Sequence, residues 1–425
     1  MAACGFAIWT AVQIARLASG GEPGRVHPEN DSLARPQVSV TVGRKDADLT
    51  GGDNRVLQAA VDYVGNLGGG LVLVGPGEYL MRDALHLRSR VTVRGAGRET
   101  VLKKDREVRS ALAADGDFGE SALMLLDPAG FDIGSGVYVA SGGQRHFHGT
   151  CATILNRREH YLTLSRPLNA DLMMAEGGFA ATVFPVVSGN DIQDAVLTDL
   201  VVDGNRGENA TLVDGCRTAA IYLFRGDGCL ISDCHVTDYR GDGISFQQSN
   251  DVRVDACVVE GCSGFGIHPG SGSQRPSVTN CRAVANDQDG LFFCWRVRGG
   301  VAAGNRLENN GGYGVSIGHK DTDNTIRGNT IRGNKLGGAY WRAETEPMAA
   351  HRVCFEGNTV RDNEGWGLFV DGATRGTIIQ GNVIEDTGSG RQRIGIRIGK
   401  HAGDVDLKDN TITALQQLLD ERAQP

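Results

Sequence analysis

The chain has 425 residues and carries 61 Gly against 13 Phe, 8 Tyr and 4 Trp, which points away from a helical protein and toward many tight turns between short strands. Its 43 Lys and Arg are mixed with 51 Asp and Glu for a net charge of −8, so the composition offers no nucleic-acid footprint. No apolar run approaches the roughly 18–20 residues that span a bilayer.

The first segment, "MAACGFAIWTAVQIARLASG", is mildly apolar but lacks a basic n-region and is interrupted by Gln13 and Arg16. Residues 1–37 are therefore expected to form a flexible leader, with a secretory signal as the alternative. Next, "DNRVLQAAVDYVGNLGG" predicts an amphipathic helix capped by Asp53 or Asn54. Val56, Leu57, Ala60, Val61 and Val64 form its apolar face and Gly68 ends it, which suits a cap over the open end of a stack of strands. Residues 104–190 carry no repeat and read as short strands with turns, an all-β insertion. His146 and His148 in "QRHFHGT" fall on one of its turns and are expected in solvent.

From about residue 190 to 412 the chain repeats. Cys234, Cys257, Cys281, Asn305, Asn329, Asn358, Asn382 and Asn410 hold one column, at steps of 23, 24, 24, 24, 29, 24 and 28 residues. A second column runs through Asn286, Asn310, Asn334 and Asn363. Stacked Asn side chains at an inward corner can bond the amides of adjacent rungs, and each unit has the length of one solenoid turn. Three cysteines take an Asn's place, and no Cys pair or Cys/His spacing suits a metal; they read as buried thiols, near enough on stacked rungs for an unneeded disulfide. The tail "TALQQLLDERAQP" offers Leu415, Leu418 and Leu419 as a C-terminal cap helix over 413–425.

After its Gly each repeat alternates. Ile244/Phe246, Ile267/Pro269, Leu291/Phe293, Val315/Ile317 and Ala339/Trp341 are expected inside. Ser245/Gln247, His268/Gly270, Phe292/Cys294, Ser316/Gly318 and Tyr340/Arg342 are expected on an exposed sheet face. The opening "LQAAVDYVGNLGGGLVLVGPGEYLMRDALHLRSRVTVRGAG", followed by "GN…N…GxG" coils, resembles the pectate-lyase-like superfamily of single-stranded right-handed β-helix proteins over about 50–103 and 190–412. The resemblance implies an all-β, right-handed parallel β-helix solenoid of PbH1 repeats, with an N-terminal capping helix and a small all-β insertion. It also implies a carbohydrate partner and an extracytoplasmic setting, and leaves homo-oligomers open. Its members are lyases, glycoside hydrolases, epimerases, fructotransferases and tailspikes, so the fold alone does not choose an activity.

The stretch "GVSIGHKDTDN" breaks the blandness of the repeat with His319, Lys320, Asp321 and Asp323. Neighbouring coils place Trp295 and Arg296, His268, Asp242 and Asp289, and Tyr340, Arg342 and Glu344 at similar heights. Clustering within a few coils favours an enzyme over a non-catalytic, tailspike-like or glycan-binding helix. Trp295, Phe292 and Tyr340 suit sugar stacking, with Gln247 and Glu344 as polar contacts. Arg296, Lys320 and Arg342 suit a uronate carboxylate. His268 and His319 suit proton exchange, and Asp242, Asp289, Asp321 and Asp323 suit acid, base or calcium-ligand roles. Two mechanisms compete. In β-elimination, Lys320 or His319 removes the proton α to the carboxylate while cations stabilise the enediolate. In inverting hydrolysis, Asp242 and Asp289 flank the bond. The chain lacks the "NTD…DD…GHG…RIK" set of polygalacturonases, having "GHK" instead, and shows neither a pectate-lyase calcium set nor the "DPHD" of alginate epimerases.

Overall fold

The computed structural model describes residues 38–141 and 148–423; the expected leader and His146 lie outside the described residues. Three long sheets run the length of the described chain, one of thirteen strands and two of eleven. Each coil contributes one strand to each. In one coil these are Leu230–Ser232 in the thirteen-stranded sheet 1, His235–Thr237 in sheet 2 and Asp242–Gln247 in sheet 3. Sheet 3 pairs coil on coil in parallel, with Ile244 beside Ile267, then Leu291, Val315, Ala339, Leu368, Ile396 and Leu418. This is the predicted inward column, and its members from Ile244 to Ile396 are buried.

The corner between sheets 1 and 2 is held by the predicted ladder. The Asn329 Oδ1 accepts the Asn305 backbone N–H at 2.8 Å and the Asn305 Nδ2 at 2.9 Å. Its own Nδ2 donates to the Ala302 carbonyl and to the Asn358 Oδ1. The same geometry repeats at Asn358 and Asn382. The second column does likewise from Asn286 to Asn363 and closes on Gln392. An amide can occupy such a buried corner because each of its polar atoms finds a partner on the next rung. Cys234, Cys257 and Cys281 continue the first column as free thiols whose Sγ lies 3.5–3.7 Å from a carbonyl of the preceding coil and 3.1–3.4 Å from one in its own.

The helix Asn54–Asn66 forms as predicted. Asp53 caps it by accepting the Arg55 N–H, and Leu57, Ala60, Val61 and Val64 are buried against the first coils. Six antiparallel strands between Arg109–Ala111 and Phe179–Ala181 form a separate sheet. In its strand Gly136–Ala140, Val137 and Val139 enter a local core while Tyr138 and Ala140 enter the solenoid core. Period-two alternation thus glues the insertion to the coils.

Two expectations are corrected. Residues Gln416–Asp420 form a strand paired to Ile394–Ile398, followed by a 3₁₀ turn, where a cap helix was expected. A strand satisfies the open backbone edge of the last coil, which a helix would leave unpaired; Leu415 is left 89% exposed. The outward row of sheet 3 is also not an open face: Ser245, Gln247, His268, Cys294 and Ser316 are buried beneath other chain.

Asn329→Ala is expected to cost at least about 2 kcal/mol, because it orphans two buried backbone groups of the preceding rung, the Asn305 N–H and the Ala302 carbonyl. Asn410→Ala, at a partly buried position where the ladder ends, is expected to cost less. Chemical denaturation midpoints of the two variants check this.

Candidate functional site

Over Ser245 and Gln247 the outward row is covered by a strap, residues 204–218, between the sheet 2 strand Val201–Asp203 and the sheet 3 strand Ala219–Asp227, and over Ser316 by Arg342. The insertion departs from the same corner one coil earlier, between Thr100–Lys104 and Val187–Gln193. The strap is pinned at several points. Glu107 accepts the Ala210 and Thr211 N–H groups, and the buried Lys104 ammonium donates to the Asn209 Oδ1 at 2.5 Å. The Ser245 hydroxyl donates to the Gly215 carbonyl at 2.6 Å, and the Tyr222 hydroxyl to that of Cys216 at 2.8 Å. Only glycine fits at 215, since a Cβ there would lie 1.6 Å from the Asp242 Oδ2.

Between the strap and sheet 3 lies a cleft of about 650 Å³, lined by Leu212 to Cys216 on one side and by Asp242, Phe265, His268, Phe292, Cys294 and His319 on the other. At its base the Asp242 Oδ2 accepts the His268 Nδ1–H at 2.7 Å, with both side chains almost wholly buried. The other Asp242 oxygen accepts the Phe265 N–H at 2.9 Å. A carboxylate only accepts, so the proton sits on Nδ1 and the Nε2 carries a lone pair. That Nε2 is buried and has no hydrogen-bond partner. Phe265 and Phe292 stack at 3.8 Å and stand edge-on to the imidazole.

The turn leaving sheet 3 forms the far rim. His319 and Lys320 have φ of 49° and 67°, and Trp295 and Arg296, one coil back, have 67° and 68°. The same left-handed conformation recurs at non-glycine turn residues of other coils, such as Asp233, Asp251, Ala256 and Asn309, so it belongs to the corners of the solenoid in general. His319 has both ring nitrogens engaged: Nδ1 with the Cys294 Sγ at 3.3 Å and Nε2 with the Glu344 carboxylate at 2.7 Å. Burial, then the Arg342 charge, lowers its pKa against the opposing pull of Glu344. Arg342 donates to the Ser316 hydroxyl and the Phe293 carbonyl, both at 2.6 Å, and lies over the Phe292 ring.

The structure brings Asp242, His268, Phe292 and His319 to one cleft, with Glu344 and Arg342 behind His319 and Trp295 edge-on to it. It separates the rest. Asp323 is ion-paired with Arg352 and Arg298 on the outside of the turn, which holds its carboxyl well below the usual range. Asp321 turns inward to accept the Val297 and Gly318 N–H groups at the corner. Asp289 accepts the Tyr313 N–H beneath the aromatic rings. Gln247 is buried under Gly215. Lys320 and Arg296 are exposed at the rim, and Tyr340 lies farther along sheet 3, its ring beside Tyr313. Among the described residues no three His, Cys, Asp or Glu converge as a metal site.

The strap residues Asp214, Gly215 and Cys216, and Phe265 opposite, are cleft walls that the repeat analysis missed. The signal of the strap is a step of 34 residues from Val201 to its partner His235, against 23 from His235 to Val258.

Burial raises the Asp321 carboxyl from 3.8 to about 7 and the Asp289 carboxyl to about 6. Each carboxyl takes up its proton more readily in the folded chain than in the unfolded one. Their contribution to stability is full below about pH 4 and is lost as pH rises through about 7. Asp321→Asn is therefore expected to remove part of the fall in melting temperature between about pH 4 and pH 7, whatever its absolute stability; thermal melts across that range check the slope.

A family model described as right-handed beta helix region matches residues 187–348. No curated protein matches the chain in sequence. Among solved structures, the A-module of a mannuronan C-5 epimerase from Azotobacter vinelandii aligns with a TM-score of 0.58 at 18% identity, over 89% of this chain and 97% of that one. An alginate lyase from a Paenibacillus species aligns at 0.52 and 10% identity, over 86% and 99%. The Dettilon tailspike protein aligns at 0.59 and 13%, over 88% and 62%. At such identities the likeness is one of fold. Ladders, coil register, the matched region and these neighbours agree: the chain folds as a right-handed parallel β-helix.

Proposed function

We propose that the protein is a carbohydrate-active enzyme that abstracts the proton α to the carboxylate of a uronate in an anionic polysaccharide and completes β-elimination. The observation that carries this reading is the unpartnered Nε2 of His268, in an imidazole whose Nδ1–H is fixed by Asp242. Such a pair is a general base with its tautomer set and its positive charge, once formed, stabilised by the carboxylate. The sequence places the base at His319 or Lys320, but His319 is tied at both nitrogens. It instead shapes the rim, where the exposed Lys320 and Arg296 meet the uronate charge.

Proton removal to the His268 Nε2 leaves a dianionic, enediolate-like state; the electron pair then forms the C=C bond and expels the oxygen at the β carbon, which leaves as a sugar hydroxyl by taking the proton back from Nε2. Neighbours named as an alginate lyase and a mannuronan epimerase fit a reaction that begins this way. Farther along sheet 3 the half-buried Tyr313 and Tyr340, 4.8 Å apart, offer aromatic surface to a chain lying there, while Phe369 beside them is buried under Arg397. Sugar rings stack on such faces. Inverting hydrolysis by Asp242 and Asp289 is the weaker reading, since Asp242 already holds His268 and each carboxylate accepts a backbone amide.

Incubation with alginate, polygalacturonate and neutral glycans tests the proposal, following absorbance near 235 nm together with reducing ends. An acidic polymer is expected to raise both. Reducing ends without absorbance select hydrolysis, and neither on any polymer, with saccharide binding retained, selects a non-catalytic glycan binder. On the active polymer, His268→Ala is expected to lower turnover by about 10²-fold or more, and Lys320→Ala to act mainly on KM.

A further inference from the structure

A second cavity, of about 280 Å³, lies on the other side of the strap, where the insertion meets the first coils. Ser188, His86 and Asp83 line it, together with Arg166, Arg217 and Tyr222. Ser188 and His86 are rung neighbours on the outward row of sheet 3. The Ser188 Oγ lies 2.8 Å from the His86 Nδ1, and the His86 Nε2 lies 3.3 Å from the Asp83 Oδ2. The carboxylate accepts, so Nε2 carries the ring proton and Nδ1 is left to accept the proton of Ser188.

The relay is held from outside. Asp83 also accepts the Thr153 hydroxyl at 2.7 Å and the Ala84 N–H at 2.8 Å. Gln58 of the capping helix clamps the His86 backbone at both its N–H and its carbonyl. A coil needs no such chain of groups to stack, and a buried acid facing an imidazole is costly to desolvate.

We propose that Ser188, His86 and Asp83 form a second catalytic centre, which hydrolyses short acyl esters carried on a saccharide. Ser188 Oγ attacks the ester carbonyl carbon while its proton passes to the His86 Nδ1, and the carbonyl oxygen takes the negative charge. The carbon–oxygen bond to the sugar breaks, and the departing oxygen takes the proton from His86. Water then attacks the acyl-serine, giving up a proton by the same route, to release the carboxylic acid and restore Ser188. Arg166 and Arg217 place positive charge around the cavity, which the oxyanion requires. The cavity admits a small acyl group, and Ser188 stands three rungs from His268 through Tyr222 and Ser245 on one outward row, roughly 14 Å along it.

The test uses the full chain with p-nitrophenyl acetate, an alkyl fluorophosphonate and an acetylated polyuronate. Expected are turnover of the chromogenic ester, a phosphonyl adduct mapped by peptide mass to Ser188, and release of acetate from the polymer. Ser188→Ala should remove the adduct, and it and His86→Gln should each lower ester hydrolysis by about 10²-fold or more with circular dichroism unchanged. No adduct on Ser188 in the folded, unmutated protein overturns the catalytic assignment. Hydrolysis of the chromogenic ester without acetate release overturns the saccharide ester as substrate. The chromogenic and labelling arms involve no polysaccharide, so their outcome is independent of the His268 cleft.

Discussion

Everything in this molecule depends on the pairing of one coil with the next at a single, repeated spacing. A parallel stack buries corners as well as faces, and each buried corner amide must find a partner on an adjacent rung. The Asn columns meet that demand and, in doing so, lock the register of all three sheets. Residues some 25 positions apart are thereby delivered side by side. Asp242 meets His268 and Cys294 meets His319 for this reason, with no local motif to announce either pair.

Departures from the repeat can occur only where a coil turns, and here they are concentrated. The insertion and the strap leave the same corner in successive coils and supply walls for the two cavities on sheet 3. The strand register is undisturbed on either side of each excursion. A rigid scaffold thus carries variable walls, the division of labour by which one fold hosts many chemistries.

The solenoid was legible because a ladder leaves a column in the sequence, and the inward alternation at Ile244, Ile267 and Leu291 follows from the same period. The state of the outward face was not legible, since period two says which way Ser245 and Gln247 point but not what lies on them. The 34-residue step to His235 held that information as excess length. His268 is visible in the sequence as an outward imidazole, but the charges at His319 to Asp323 are adjacent in sequence and so form the more conspicuous cluster. In space Asp323 serves Arg298 and Arg352, and Asp321 serves the corner amides. The tail misled for a related reason: leucines spaced for a helix also satisfy an edge strand when a backbone edge stands open beside them.

The change from Cys to Asn along one column divides that corner chemically. An amide side chain offers two donors and a strong acceptor, whereas a thiol offers one weak donor and a poor acceptor. The coils of Asn305 to Asn382 are therefore stitched rung to rung, while those of Cys234 to Cys281 are joined at that corner by longer sulfur contacts. His268 rides on the thiol half. Corner bonding is thereby graded along the axis, with the weaker sulfur contacts in the coils beneath the strap and the amide ladder in the coils beyond it.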